Sequence, residues 1–334
     1  MNSDELLHQL AKLAPLALGQ LPTPLHALTG LSATLQGPEI WIKRDDLTGL
    51  GMGGNKVRKL AFLLAEALRG EADVVMTTGA RQSNHARQTA AAAARAGLPC
   101  VLVLAGEALS APPTGNHLLD RLFGAEVRWA GDRDPLEALV AEAEALRESG
   151  RHPYVIPYGG SNAVGVCGFV AAMVELHQQA TVQELAFTDI VLASSSGGTQ
   201  AGLALGAHLL AHPARIVGIS IAEEASALRR QLSALASATA NLLEIPTSLA
   251  AEDFTVTDAY LGGGYGVVGE PEREALQLLA RTEGLLVDPV YTGRALGGLI
   301  DLIRQGTFTA GDRVLFWHTG GSPALFAYGE ELGV

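Results

Sequence analysis

The stretch Gly51-Met52-Gly53-Gly54-Asn55-Lys56 places three glycines in four residues just ahead of a lysine. Glycine costs backbone entropy and offers no side chain to pack, so either the chain turns sharply here or something comes very close to its backbone. Lysine is scarce: Lys12, Lys43, Lys56 and Lys59 stand against 19 arginines. Chemistry that needs an amine side chain therefore has four candidates. Lys43 belongs to an apolar strand-like run, Lys59 falls one turn along the helix pattern VRKLAFLLAEAL, and Lys12 lies in a peripheral helix pattern. Only Lys56 rides on the glycine-rich turn.

Four further segments combine chemically able residues with an apolar run on one side and a helix pattern on the other. In ASSSGGTQAGLALG (193–206), Ser196, Gly197, Gly198 and Thr199 open a helix rich in small residues. Bare N–H groups, hydroxyls and a helix N-terminus together make a phosphate cradle. The segment lacks the Gly-Lys-Ser/Thr of a Walker A loop and the G-x-G-x-x-G of a dinucleotide fingerprint. The bland alternative is a tight strand-to-helix turn that holds nothing. In TTGARQSNHARQTA (77–90), Gln82, Ser83, Asn84 and His85 fall where a helix begins. A plain N-cap accounts for one of them, but four consecutive polar residues suggest a carboxylate site. In LLVDPVYTGRALGGL (285–299), Asp288-Pro289 fixes a turn that sets Tyr291 and Thr292 at a helix start, although a turn tyrosine is more often a packing residue. In LFWHTGGSPALFAY (315–328), Thr319 and two glycines follow a strand pattern. A phosphate-bearing ligand, a carboxylate site and one delivered amine point together to pyridoxal 5'-phosphate. That cofactor forms a Schiff base with lysine and acts as an electron sink at an amino acid's alpha carbon.

The elements that must position these residues alternate along the chain. Strand-like runs at 73–79, 100–106, 126–131, 154–160, 189–196, 215–222 and 313–321 are separated by helix-period segments. Such alternation predicts an α/β fold of mostly parallel sheets covered by helices. Near-continuous Val, Ile and Leu content agrees with strands buried on both faces. The spacing is too irregular for a barrel of eight equal units, so two open sheets are expected. In such sheets ligands sit beyond the carboxyl ends of the strands, which is where the four segments lie.

Bulk properties narrow the class. At 334 residues and 48% hydrophobic content the chain can form two cores, and a net charge of −12 argues against a nucleic-acid partner. No apolar run reaches the ~18 residues of a transmembrane helix. The start, MNSDELLHQLAKLAPLAL, lacks the basic-then-apolar order of a signal peptide. Cys100 and Cys167 form no disulfide framework and no metal-ligand spacing, so both are expected to be core thiols in a reducing cytoplasm.

GGNKVRKL, QSNHARQTA, GGTQAG, DPVYTG and HTGG occur in one order. In this the chain resembles the pyridoxal-phosphate enzymes related to aminocyclopropane-carboxylate deaminase and D-cysteine desulfhydrase, from about residue 21 to the C-terminus. The resemblance implies the tryptophan-synthase-beta-like fold, fold type II of these enzymes. Residues 1–57 and 167–334 would form a large cofactor-binding domain, and 58–166 a small domain inserted in it, with the cofactor between them. It implies a homodimer. Carried over by position, Lys56 resembles the Schiff-base lysine. Gln82, Ser83, Asn84 and His85 match the segment that meets the substrate carboxylate and the ring-hydroxyl side of the cofactor, with Ser83 also a nucleophile candidate. Ser196, Gly197, Gly198 and Thr199 match the phosphate loop. Tyr265 in GGGYG and Tyr291 match two catalytic tyrosines, and Thr319 a residue near the pyridine ring.

Ring-opening deaminases look like DPVYEG and HLGG, with glutamine where His85 stands; this chain has Thr292 and Thr319 at the first two places. A carboxylate at the pyridine nitrogen favours its protonated form, whereas a hydroxyl hydrogen-bonds it without charge. Expelling a good beta leaving group makes less demand on the ring than opening a cyclopropane. The resemblance therefore implies beta-elimination from a small sulfur amino acid, D-cysteine first, then L-cysteate or another beta-substituted alanine. Either the freed Lys56 amine or a tyrosinate would remove the alpha proton. Arg81 is one candidate partner for a sulfonate, and equally a solvated turn residue. A cofactor-binding protein without turnover is the reading from another class, and a nicotinamide dehydrogenase lacks its glycine fingerprint.

Overall fold

The computed structural model describes residues 1–108 and 110–333. Its strands are β1 (Leu25–Ala27), β2 (Glu39–Arg44), β3 (Val74–Gly79), β4 (Cys100–Leu104), β5 (Glu126–Trp129), β6 (Pro153–Val155), β7 (Asp189–Ser194), β8 (Arg215–Ser220), β9 (Thr255–Thr257) and β10 (Arg313–His318). They form two sheets, ordered β1-β2-β10-β7-β8-β9 and β5-β4-β3-β6. Every pairing is parallel except β1 with β2, as the alternation predicts. All seven strand-like runs contain a strand. The run at 154–160 is strand only to Val155 and then turns through Tyr158–Gly160. Three strands lie outside those seven runs: β2, which holds the apolar run around Lys43, and the three-residue β1 and β9, which are too short to carry a period of their own.

The strands next to the cleft are buried along their length. All six residues of β3 are buried, as are five of the six in β7 and in β10. Helix Ala163–Val182 buries twelve of its twenty residues and packs between helices Lys56–Arg69 and Gly198–Leu209. A helix apolar nearly all round belongs at a centre. At Gly168 an added Cβ would lie 2.3 Å from the Arg58 carbonyl oxygen, so the bare backbone lets the lysine-bearing helix dock closely.

A buried ionic cluster pins the same helix from below. Asp45 accepts from Arg58 Nη2 (2.8 Å), Thr23 Oγ1 (3.1 Å) and Trp317 Nε1 (2.9 Å). Glu175 accepts from Arg58 Nη1 (3.0 Å) and from Lys43 Nζ (2.5 Å), which also donates to Gln179 Oε1 and to the Thr23 carbonyl. Two cations meet two carboxylates with their hydrogen bonds made, the condition under which buried charges are tolerated. The cluster joins β2, the turn after it, β10 and two helices beneath Lys56.

Candidate active site

The glycine turn answers to geometry. Gly53 has φ 72°, and a Cβ there would lie 1.8 Å from the Asp46 carbonyl oxygen. Gly54 has φ 130°, and its Cβ would lie 2.4 Å from Gln88 Nε2. Only glycine permits both the conformation and the approach. The turn ends at helix Lys56–Arg69, so Lys56 is the first helical residue and its amine faces the cleft. Asn55, which the sequence reading passed over, ties this turn across the cleft. Its N–H donates to the Thr319 carbonyl (2.9 Å) and its Nδ2 to Thr199 Oγ1 (3.0 Å).

The cleft holds about 600 Å³, part of it open to solvent. Its walls include Lys56, Ser83, Asn84, His85, Ser196, Gly197, Thr199, Tyr291 and Thr319, all expected, together with Asn55, Tyr158 and Ser194, which were not. The lysines separate cleanly. Lys43 is locked in the ionic cluster, Lys59 donates to the Gly159 carbonyl (3.1 Å) and Ser161 Oγ (3.0 Å), and Lys12 is exposed beside Gln9. Among the described residues lining the cleft, Lys56 is the one lysine, and none is an arginine. Burial pushes its amine down to about 8, against the opposing pull of the Asp288 carboxylate.

The Ser196–Thr199 segment has the form of an anion cradle. Gly197 takes φ 77° and serves as N-cap of helix Gly198–Leu209, whose first-turn N–H groups have no intrahelical acceptor. Gly198 departs from expectation: its own N–H is occupied by Ser161 Oγ (3.2 Å) and by the Ser196 carbonyl (3.0 Å), and it does not line the cleft. Ser161 in turn donates to Ser196 Oγ (2.9 Å). Ser194, two residues upstream, is 2% exposed with a hydroxyl that has no protein partner.

At the facing helix, Ser83 is the N-cap and accepts from the Ala86 N–H (3.1 Å), while still lining the cleft. Asn84 Oδ1 accepts from Asn116 Nδ2 (2.8 Å). Thr77 has one hydroxyl hydrogen and donates it to the Ile156 carbonyl (2.9 Å). The 2.9 Å contact of Thr77 Oγ1 with His85 Nε2 must then be filled by the histidine's own N–H. Burial and the nearby Lys56 amine hold His85 well below its ordinary range, so it is neutral, with Nδ1 a buried acceptor lacking a protein partner. Gln82 is drawn away instead. It donates to the Thr114 carbonyl (3.0 Å) and accepts from the Asn116 N–H (2.8 Å), outside the cleft wall.

Asp288 organises the third segment. Its carboxylate accepts the N–H groups of Val290, Tyr291 and Thr292 and the Thr292 hydroxyl (2.6 Å). Thr292 is therefore 0% exposed with its hydroxyl spent on the cap, and of the two threonines only Thr319 reaches the cleft. The Tyr291 hydroxyl lies 2.7 Å from that of Tyr265, the rings edge to face at 5.8 Å. Burial first, then neighbouring phenols, push both hydroxyls up, so both are protonated near neutral pH. Tyr265 thus contacts Tyr291 without itself lining the cleft wall. Arg81 donates to the Glu107 carbonyl (3.0 Å) and lies over the Trp129 ring (5.6 Å), away from the cleft wall.

One amine in a cleft, opposed by a hydroxyl- and glycine-rich helix start, with orphaned polar atoms on Ser194 and His85 between them, fits a phosphate-bearing aldehyde. Residues 16–320 match the family described as pyridoxal-phosphate dependent enzyme. The chain belongs to that family. Its cofactor is pyridoxal phosphate. A D-cysteine desulfhydrase of Klebsiella pneumoniae (strain 342) is 45% identical over 98% of this chain and 99% of its own length. One from Yersinia pseudotuberculosis serotype O:1b is 44% identical over 97% and 98%. Among solved structures, an ACC deaminase homologue superposes with a TM-score of 0.90 at 40% identity, covering 98% of each chain. A threonine deaminase of Solanum lycopersicum, at 17% identity and TM-score 0.69 over 100% of this chain and 90% of its own, shares the fold. As a pyridoxal-phosphate-dependent enzyme, the protein has its ligand cleft at the carboxyl ends of β3, β7 and β10, where open parallel sheets place it.

Proposed function

We propose that the protein catalyses alpha,beta-elimination on a small beta-substituted amino acid, turning D-cysteine and water into pyruvate, ammonia and hydrogen sulfide. The observation that carries this reading is the single cleft amine, Lys56, set among hydrogen-bonding groups with no second lysine or arginine among the described residues lining the cleft. Near-full-length similarity to D-cysteine desulfhydrases supports the choice of substrate. Bound in the cleft, the cofactor supplies a sink for the electron pair left when a proton leaves the substrate's alpha carbon.

The chain's own residues do the rest. Lys56 would anchor the cofactor, and its amine, partly free base near neutrality, would take the alpha proton. A tyrosinate base does not suit phenols whose burial keeps them protonated, so Tyr291, backed by Tyr265, serves as a donor toward the departing sulfur. Ser83 and Asn84 receive the substrate carboxylate, and His85 Nδ1 accepts from a donor on the ligand. Ser196, Gly197 and Thr199 would hold the phosphate, and Thr319 would offer its hydroxyl to the ring nitrogen. The enzyme works as a cytoplasmic homodimer.

L-cysteate ranks second because a sulfonate favours a charged partner, and Arg81 is committed elsewhere. Ring opening ranks lower because Thr292 and Thr319 supply no carboxylate to the ring. Product release measured in parallel from D-cysteine, L-cysteine, L-cysteate, D-serine and aminocyclopropane-carboxylate tests the ranking. Pyruvate with equimolar sulfide, fastest from D-cysteine, is expected. Faster sulfite from L-cysteate, or 2-oxobutanoate as the main product, would reverse it.

The lowered Lys56 amine also sets a pH limb. Because the free base acts, kcat is expected to rise with pH and to level above about 8. A beta-substituted alanine without a thiol separates this limb from the substrate's own ionisation, and a flat kcat from pH 6 to 9 would exclude Lys56 as the base.

A further inference from the structure

Beside the cleft, a guanidinium and a carboxyl group are buried without a hydrogen bond between them. Arg87 is 0% exposed; its Nη2 donates to the Gly53 carbonyl (2.9 Å), but its Nε and Nη1 have no partner. Asp120, on the neighbouring helix Gly115–Leu122, is also 0% exposed, and neither of its carboxyl oxygens has a partner. The two groups feel each other: Asp120 pulls against the burial that brings Arg87 down to about 10, and Arg87 against the burial that lifts Asp120 to about 8. Asn116 Oδ1, one helical turn before Asp120, is a third unpartnered buried acceptor.

Orphaned charged groups in an interior are costly, and a buried water needs two to four polar partners. The two unpartnered guanidinium nitrogens of Arg87 and the unpartnered carboxyl oxygens of Asp120, close enough to feel each other's charge, supply them. Arg87's one direct bond goes to Gly53, whose positive φ and contact with Asp46 define the turn that presents Lys56. We propose that Arg87 is a positioning residue for Lys56. Through the Gly53 carbonyl, and braced by water shared with Asp120, it holds the glycine turn that aims the amine into the cleft. This rests on the assignment of Lys56 as the cofactor's lysine.

Apo-protein loaded with pyridoxal phosphate at a series of pH values tests it, since uptake needs the free amine. Growth of the visible band reports uptake. Arg87→Met is expected to hydrate the turn, move the uptake midpoint upward from about 8, and lower kcat about tenfold to a hundredfold with KM changing far less. Arg87→Lys, which keeps the charge and one donor, should recover part of both. A lower melting temperature with wild-type midpoint and kcat would make Arg87 merely structural and overturn the proposal. If Arg87→Met does not fold, Arg87→Lys decides: a midpoint and kcat displaced in the same directions support the proposal, and wild-type values overturn it. A high-resolution map of the apo-protein should show water between Arg87 and Asp120; a dry gap would remove the brace. Failure of the Lys56 assignment itself differs, because borohydride reduction of the loaded wild-type protein would then leave the cofactor's mass on another peptide or on none.

Discussion

Lys56→Ala is expected to abolish the visible band of the lysine-bound cofactor and to lower turnover by more than about 10³-fold. General acid–base catalysis contributes roughly 10²–10⁴, and the loss of cofactor anchoring adds to it. The other lysines cannot substitute. Lys59, one turn along the same helix, is fully buried and committed to the Gly159 carbonyl and Ser161, while Lys43 is held by Glu175 and Gln179 and does not line the cleft. The proposed phosphate cradle at Ser196–Thr199 is untouched by the substitution, so the variant should still bind pyridoxal phosphate without covalent attachment. Dialysis would then strip the cofactor from the variant but not from the wild type. A variant that kept both the band and the turnover would show that another amine does the work.

Arg58→Met is expected to destabilise the protein by about 3–5 kcal/mol, the cost of breaking a buried ion pair from one side. The guanidinium touches both carboxylates of the cluster, and its removal leaves Asp45 with only Thr23 and Trp317 as donors. The pH dependence changes too. Burial pushes the Glu175 carboxyl up, but Arg58 and Lys43 outweigh it and bring it down to about 2. That stability is present above the ordinary glutamate range and is lost as pH falls through about 2. Without Arg58 the folded value rises, so the variant loses less between pH 4.5 and 2 than the wild type does. Urea unfolding at several pH values checks both. A shift under about 1 kcal/mol would mean that the cluster is already hydrated.

Residues whose chemistry depends on their own backbone were legible in the sequence. Gly53 and Gly54 announced the lysine turn because no other residue takes their φ values there, and the Ser196–Thr199 run announced a helix start with spare donors. The parallel sheets followed from buried apolar runs alternating with helix periods. Residues whose role depends on distant partners were not legible. Gln82 has the right type and place, yet Asn116, 34 residues on, claims its carbonyl. Thr292 is spent on Asp288, so of the two threonines only Thr319 reaches the cleft. Asn55 reaches a threonine 144 residues away, and its one signal was its place between the glycines and the lysine. Arg87 was indistinguishable from any helix arginine until its surroundings proved to be interior.

The most direct measurement is peptide mapping after borohydride reduction of the protein loaded with pyridoxal phosphate. Reduction freezes the covalent link, and the cofactor's mass is expected on the peptide bearing Lys56 and on no other. Label at Lys59, Lys43 or Lys12, or no label in a protein that carries the visible band, would contradict the assignment of the glycine-turn amine as the cofactor's anchor.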